Sequence, residues 1–357
     1  MRGKSRAKSL RRWCRGAAGV CCVCSLKPWL SLYGQSVAPL VPPAIESHYG
    51  DVPQKFNSYQ TILQPDSIRA EWWAGAPSVV RDQQGTFWLA CRMRSARMPR
   101  GQRGYEIRLL SSPDGLHFTK RASLTREQAA MPGFERPALL LDPKTGQFKL
   151  YACGPWQQGP WSIIKFDDMA RPDLVNPASA HAVITPIKPA GERDISVIEY
   201  KDPVILFAKG LFHCYVTGYI RTLERIFHFT SDDGERWQAV EHPNDSRLPL
   251  SGWHDFFIRP ASVLPLGVGY LFVYEGSNVK WHDPVYNVLT GLGFTFDLHQ
   301  IIDLTPASPL IASSTPGAFH TWRYSSWLIV DEEIWIYAEV ACPDDTHEIR
   351  LFRIPLK

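Results

Sequence analysis

Long hydrophobic runs are missing from the body of this 357-residue chain. Nothing beyond residue 40 is apolar over the roughly 20 residues a bilayer-spanning helix needs, so membrane insertion is not expected. A charge excess is missing too. The 39 Lys and Arg stand against 35 Asp and Glu, a net +4. No dense basic stripe occurs in the body, which removes the electrostatic footprint of a nucleic-acid partner. Amphipathic helical periodicity is absent as well, which argues against a helical bundle. Paired cysteines are lacking from the body: of eight cysteines, Cys14, Cys21, Cys22 and Cys24 lie within the first 40 residues, and Cys91, Cys153, Cys214 and Cys342 each sit in an apolar run, with no CxxC and no metal-ligand spacing among these last four. They read as buried free thiols acting as small hydrophobes. His254, His282 and His320 are scattered without ligand spacing, so no metal site and no cofactor is expected.

What is present is 45% hydrophobic residues, 29 prolines and 25 glycines. Prolines and glycines punctuate short strand-like runs throughout, the pattern of an all-β array. The start differs from the rest. Arg2, Lys4, Arg6, Lys8, Arg11 and Arg12 precede a semi-apolar stretch, then Ser36-Val37-Ala38. This is the order of a secretory signal peptide with a small-residue cleavage site. Residues 1–40 are therefore read as a leader, 41–70 as an N-terminal extension and 71–357 as one folded domain, secreted or periplasmic and monomeric.

A repeat of about 60 residues runs through that domain. Ala76-Pro77-Ser78-Val79-Val80, Arg136-Pro137-Ala138-Leu139-Leu140, Asp202-Pro203-Val204-Ile205-Leu206, Arg259-Pro260-Ala261-Ser262-Val263 and Ser325-Ser326-Trp327-Leu328-Ile329 each open a unit. Ser326 stands where the other four have proline. Each unit continues through a Gly- or Asp-bearing turn into a second strand and, in most, a third. Five such units predict an all-β, five-bladed β-propeller, in which each blade packs only on its neighbours. Proline belongs at a strand's first residue, because it cannot donate to a ladder. The innermost strands of a propeller start near its axis. Gly75, Glu135 with Arg136, Lys201 with Asp202, Ile258 with Arg259, and Arg323 with Tyr324 should therefore converge on one axial pocket.

On these motifs the chain resembles the five-bladed propeller glycosidases, glycoside hydrolase families 43, 32 and 130, over about residues 70 to 356. Phe134-Glu135-Arg136-Pro137 is similar to the ERPK strand of family 43. Tyr200-Lys201-Asp202-Pro203 is similar to that family's RD…LF strand, whose Asp tunes and orients the acid. Ile258 to Gly276 with Tyr286-Asn287-Val288 is similar to the fourth-blade layout of the family 130 phosphorylases. The first blade, Trp73-Ala74-Gly75-Ala76-Pro77, lacks the Asp that family 43 carries there. The resemblance implies a glycoside hydrolase acting on a poly- or oligosaccharide. A non-catalytic carbohydrate-binding propeller and a glycoside phosphorylase are the alternatives.

Glycoside hydrolysis needs two carboxyl groups flanking one bond, one protonated and one ionised. Glu135, Asp202 and Glu275 are the catalytic candidates. Glu135 and Asp202 are expected as near neighbours, one of them holding its proton to higher pH. Arg92, Arg136, Lys201 and Arg259 are candidate substrate contacts. Arginine forks suit a carboxylate or a phosphate, which points to an acidic sugar or a phosphate group. Trp73, Trp253 and Trp322, with Asp255 and His320, complete the expected contacts, since flat aromatic faces stack on sugar C–H faces. Thr230 to Trp237 also fits the turn-stabilising Asp box of six-bladed sialidases.

Overall fold

The computed structural model describes residues 51–96, 98–99, 101–186, 197–220, 222–240 and 248–356. The expected leader lies outside them. Among the described residues the chain is strands and short 3-10 turns, and no helix is long and apolar enough to cross a membrane.

The strands form five consecutive antiparallel meanders. The first is β2 (Trp73–Arg81), β3 (Phe87–Arg94), β4 (Gly104–Ser112) and β5 (Thr119–Thr125). The second is β6 (Ala138–Leu141), β7 (Phe148–Pro155), β8 (Trp161–Lys165) and β9 (His181–Ile184). The third is β10 (Glu199–Ala208), β11 (Leu211–Ile220), β12 (Leu223–Ser231) and β13 (Gln238–Ala239). The fourth is β14 (Phe257–Pro265), β15 (Tyr270–Ser277), β16 (Leu289–Thr295) and β17 (Ile302–Asp303). The fifth is β18 (Trp322–Val330), β19 (Glu333–Ala341) and β20 (His347–Pro355), and its outer strand is β1 (Gln60–Leu63). The expected domain start at residue 71 thus leaves out a strand that pairs with the last one.

Local chemistry makes the hairpins. Lys209 and Gly210 take φ of 50° and 84°, a two-residue turn whose twist matches its strands. Asp82 Oδ1 accepts the N–H groups of Gln84 and Thr86 at 3.0 and 2.8 Å. Asp233 does the same for Glu235 and Arg236 at 2.8 and 2.9 Å, so the box-like segment is a braced turn.

The proline step has a different cause from the one expected. Pro77 and Pro203 lie inside β2 and β10, at bulges where the ladder register shifts. Each follows a residue of positive φ, Ala76 at 50° and Asp202 at 56°. A bulged residue is unpaired, so proline sacrifices no ladder bond there. In β18 the same bulge falls on Tyr324, at φ 51°, and Ser325. The proline equivalent is therefore Ser325, one residue before the expected Ser326.

The meanders follow one another cyclically. Each first strand packs on the first strand of the next meander, and β18 packs on β2. Buried apolar side chains fall into five clusters, each spanning two successive meanders. Trp335 and Tyr337 of the fifth meander share theirs with Val79 and Leu89 of the first. Hydrogen bonds lace every junction. Ser78 Oγ accepts Leu139 N–H at 2.8 Å, Ser262 Oγ accepts Trp327 N–H at 3.2 Å and Ser326 Oγ accepts Val79 N–H at 3.0 Å. The Tyr151 hydroxyl donates to the Gly234 carbonyl and the Tyr215 hydroxyl to that of Leu298.

Candidate active site

Residues just before or within the proline steps, or their Tyr324-Ser325 equivalent, line one cavity of about 360 Å³. Glu135 reaches it from the segment ahead of β6, Glu199 and Lys201 from β10, Arg259 from β14, and Arg323 with Tyr324 from β18. Arg94 at the end of β3 and Arg103 add two more cations, and Trp161, Tyr219 and Tyr286 give aromatic walls. Five cations and two carboxylates thus face the cavity.

Most of those cations are bound to carboxylates that the strands bring in from behind. Glu339 on β19 is fully buried and is the densest node. It accepts from Arg323 Nε at 3.0 Å and Nη2 at 2.8 Å, from Arg92 Nη2 at 3.0 Å and from the Ala76 N–H at 3.0 Å, and it contacts His347 Nδ1 at 2.7 Å. Burial opposes its ionisation, but Arg323, Arg92 and His347 hold it well below the usual carboxylate range. Glu224 on β12 pairs with both Lys201 and Arg259. Burial again opposes, and the two cations win, bringing Glu224 down to about 2. Arg92 also reaches Glu135, whose side chain is 18% exposed. Burial disfavours the Glu135 charge, yet Arg92, Arg94 and Arg323 outweigh it and lower its pKa.

Two carboxyl groups beneath the cavity behave in the opposite way. Asp202 is fully buried, and neither carboxyl oxygen has a hydrogen-bond partner among the described residues. Burial raises its pKa against the pull of Lys201 and Arg259, and Glu135 adds to the rise. Glu275 is likewise fully buried. Burial pushes it up to about 7, with Arg136 and Arg259 opposing. One of its oxygens accepts the Tyr324 N–H and the other has no partner among the described residues.

Of the expected side chains, Glu135, Lys201 and Arg259 line the cavity. Arg92, Asp202 and Glu275 are fully buried and do not line it. Arg136 lies below, donating to the Pro260 carbonyl at 2.9 Å and to those of Ala261 and Ser325. It ties the segment ahead of β6 to β14 and β18 and lines a second hollow, of about 310 Å³. Trp73 is sealed between rings, stacked on His347 at 4.0 Å. Trp253 stacks on Tyr274 and Trp281 and donates to the Thr305 carbonyl at 2.7 Å, inside the fourth meander. Trp322 packs on Phe56 and Phe352. Asp255 accepts the Val279 N–H at 3.0 Å, and the His320 N–H donates to Asn287 at 2.7 Å; both are loop ties. No group of His, Cys, Asp and Glu among the described residues could hold a metal ion.

The sequence reading missed Arg94, Glu199, Glu224 and Glu339. Glu339 and Glu224 did leave a signal: a charge inside an otherwise apolar strand, as in Tyr337-Ala338-Glu339-Val340, is costly unless paired.

No protein-family model matches the chain, and no curated protein sequence does. Solved structures do match in fold. One is described as a glycoside hydrolase, with a TM-score of 0.63 at 13% identity over 88% of this chain and 96% of that one. A beta-1,2-mannobiose phosphorylase from Listeria innocua has a TM-score of 0.58 at 12% identity over 83% and 94%. An alpha-L-arabinofuranosidase from Podospora anserina, in complex with cellotriose, has 0.57 at 11% over 84% and 98%. At such identities the likeness is one of fold.

Proposed function

We propose that the five meanders are the blades of one propeller, and that the protein is a glycoside hydrolase cleaving an oligo- or polysaccharide in the axial cavity. The observation that carries this reading is Glu135, a partly exposed carboxylate held in its charged form by Arg92 at the mouth of the inner strands. A fixed, ionised carboxylate suits the base or nucleophile of glycoside cleavage. Arg92 acts as a positioning residue, because it touches Glu135 from behind and does not line the cavity. Glu199 is the second carboxyl on the cavity wall and is assigned as the proton donor. Tyr219, Tyr286 and Trp161 give faces on which sugar rings stack. Asp202, sealed under Lys201, acts through its field on Glu135 rather than by touching substrate. Export, resting on the basic leader and Ser36-Val37-Ala38, is part of the same reading.

Binding without cleavage is the second reading, favoured by the sealing of Asp202 and Glu275 away from the cavity. One experiment separates the two. The full chain is incubated with a panel of oligosaccharides, and both reducing-end release and binding are followed. Hydrolysis that Glu135→Gln lowers in kcat by about 10²-fold or more supports the first reading. Saccharide binding with no release in the unmodified protein supports the second. Release that depends on inorganic phosphate moves the assignment to a phosphorylase.

A further inference from the structure

Arg94 is the exception among the cations around the cavity. Arg92, Lys201, Arg259 and Arg323 each reach a buried glutamate, and Arg103 reaches Glu71 at 2.8 Å. Arg94 forms no ion pair among the described residues, although it is only 5% exposed. Its Nε is buried without a partner, and its Nη2 donates only a long bond, 3.4 Å, to the Tyr286 hydroxyl. The guanidinium carbon lies over Trp73, 3.6 Å from the ring centroid, and Trp73 is backed in turn by His347. A cation is thus fixed over a ring and lines the cavity, within the field of Glu135 but with no ion pair of its own among the described residues. Leaving a buried charge uncompensated is expensive. Burial, with Arg92 and Arg323 nearby, brings even this guanidinium down to about 10.

We propose that the missing counter-charge arrives with the ligand, and that Arg94 seats the carboxylate of an acidic sugar, a hexuronate unit. The inference rests on reading the cavity as a saccharide site. A carboxylate fits because it is planar and singly charged, matching one fork and one unpaired cation. Tyr286, which also lies over Arg94 at 5.4 Å, offers the adjoining ring face for the same sugar.

The test uses the full chain and equilibrium binding, so it does not depend on turnover. The probes are galacturonate and glucuronate, their methyl esters, galactose and glucose, and inorganic phosphate. The uronates should bind at least about tenfold tighter than the esters and parent sugars, the scale of a hydrogen bond to a charged group. That preference should shrink in high salt. Arg94→Gln should abolish the preference, bringing uronates and esters to within about twofold of each other. Should Arg94→Gln not fold, the ester comparison in the unmodified protein still decides. Equal binding of uronates and esters overturns the proposal. So does phosphate that binds tighter than the uronates and competes with them. Uronate preference without cleavage leaves this inference standing and removes the hydrolase reading; cleavage of neutral glycans without uronate preference does the reverse.

Discussion

Ser326 Oγ accepts the Val79 N–H at 3.0 Å, tying the last inner strand to the first. Tyr337 reinforces the same junction by donating to the Gly115 carbonyl at 2.8 Å. The same two ends also meet through Glu339, which accepts from the Ala76 N–H and from Arg92, through the Trp73–His347 pairing of β2 with β20, and through apolar packing. Ser326→Ala leaves a half-buried N–H unpaired, and Tyr337→Phe leaves a buried carbonyl. Each is expected to lower unfolding free energy by about 1 kcal/mol. The double variant should lose about the sum or more, because both act on one junction. Urea unfolding measures this, and no loss in either variant would mean that the Glu339 contacts, the β2–β20 pairing and apolar packing hold the junction without these two bonds.

The inner ring was legible in the sequence because its signal is local. A proline in each of four repeats marks the start of the inner segment, and Glu135, Lys201, Arg259 and Arg323 sit within two residues of it or of its Ser325 equivalent. The second ring left only the signal of a charge in an apolar strand; its partners were not legible, because Glu339 meets Arg92 and Ala76 across more than 240 residues of chain. Which strand face Arg94 presents depends on a register shift between Met93 and Arg94 that no local pattern announces. The outer strands were missed for another reason. Gln238–Ala239 and Ile302–Asp303 are two-residue edges with little apolar content. Trp253 and Trp322 look like sugar platforms in sequence, but the apolar interior between strands claims them first.

Glu224 gives a pH-dependent prediction. Its folded pKa of about 2 lies below the unfolded value of about 4.3. The group therefore contributes stability that is present above about pH 4.3 and lost as pH falls toward 2. Glu224→Gln strands Lys201 and Arg259 and should cost about 3–5 kcal/mol at pH 7. The gap between the two proteins should close progressively below about pH 4.3, read by chemical denaturation across pH. A gap that stays constant would show that packing, not charge, is what the variant removes.

Asp202→Asn tests tuning against contact. Asp202 sits at φ 56°, a conformation Asn tolerates, and its carboxyl has no hydrogen-bond partner to lose among the described residues. The variant should fold and match or exceed the parent in stability at pH 8, where a buried carboxylate is a burden. If the protein hydrolyses glycosides, the kcat/KM profile should lose one ionisation lying above the usual Asp range. The acid limb set by Glu135 should remain. An unaltered profile with altered stability would make Asp202 purely structural.

Glu275 supplies the opposite sign to Glu224. Burial lifts its folded pKa to about 7, against about 4.3 unfolded. Between those values the native state holds a proton that the unfolded state has released. Native stability therefore falls as pH rises through that window and levels off above about 7. Gln in its place can still accept the Tyr324 N–H and has no proton to release. Relative to the unmodified protein, Glu275→Gln should gain roughly 3 kcal/mol on going from pH 4.3 to pH 8. All other titrations are common to the two proteins and cancel in the difference. Urea unfolding of both at pH 4.5, 6, 7 and 8 reads it directly. A difference that does not change with pH would mean that Glu275 ionises freely in the hub, with Arg136 compensating its charge in full.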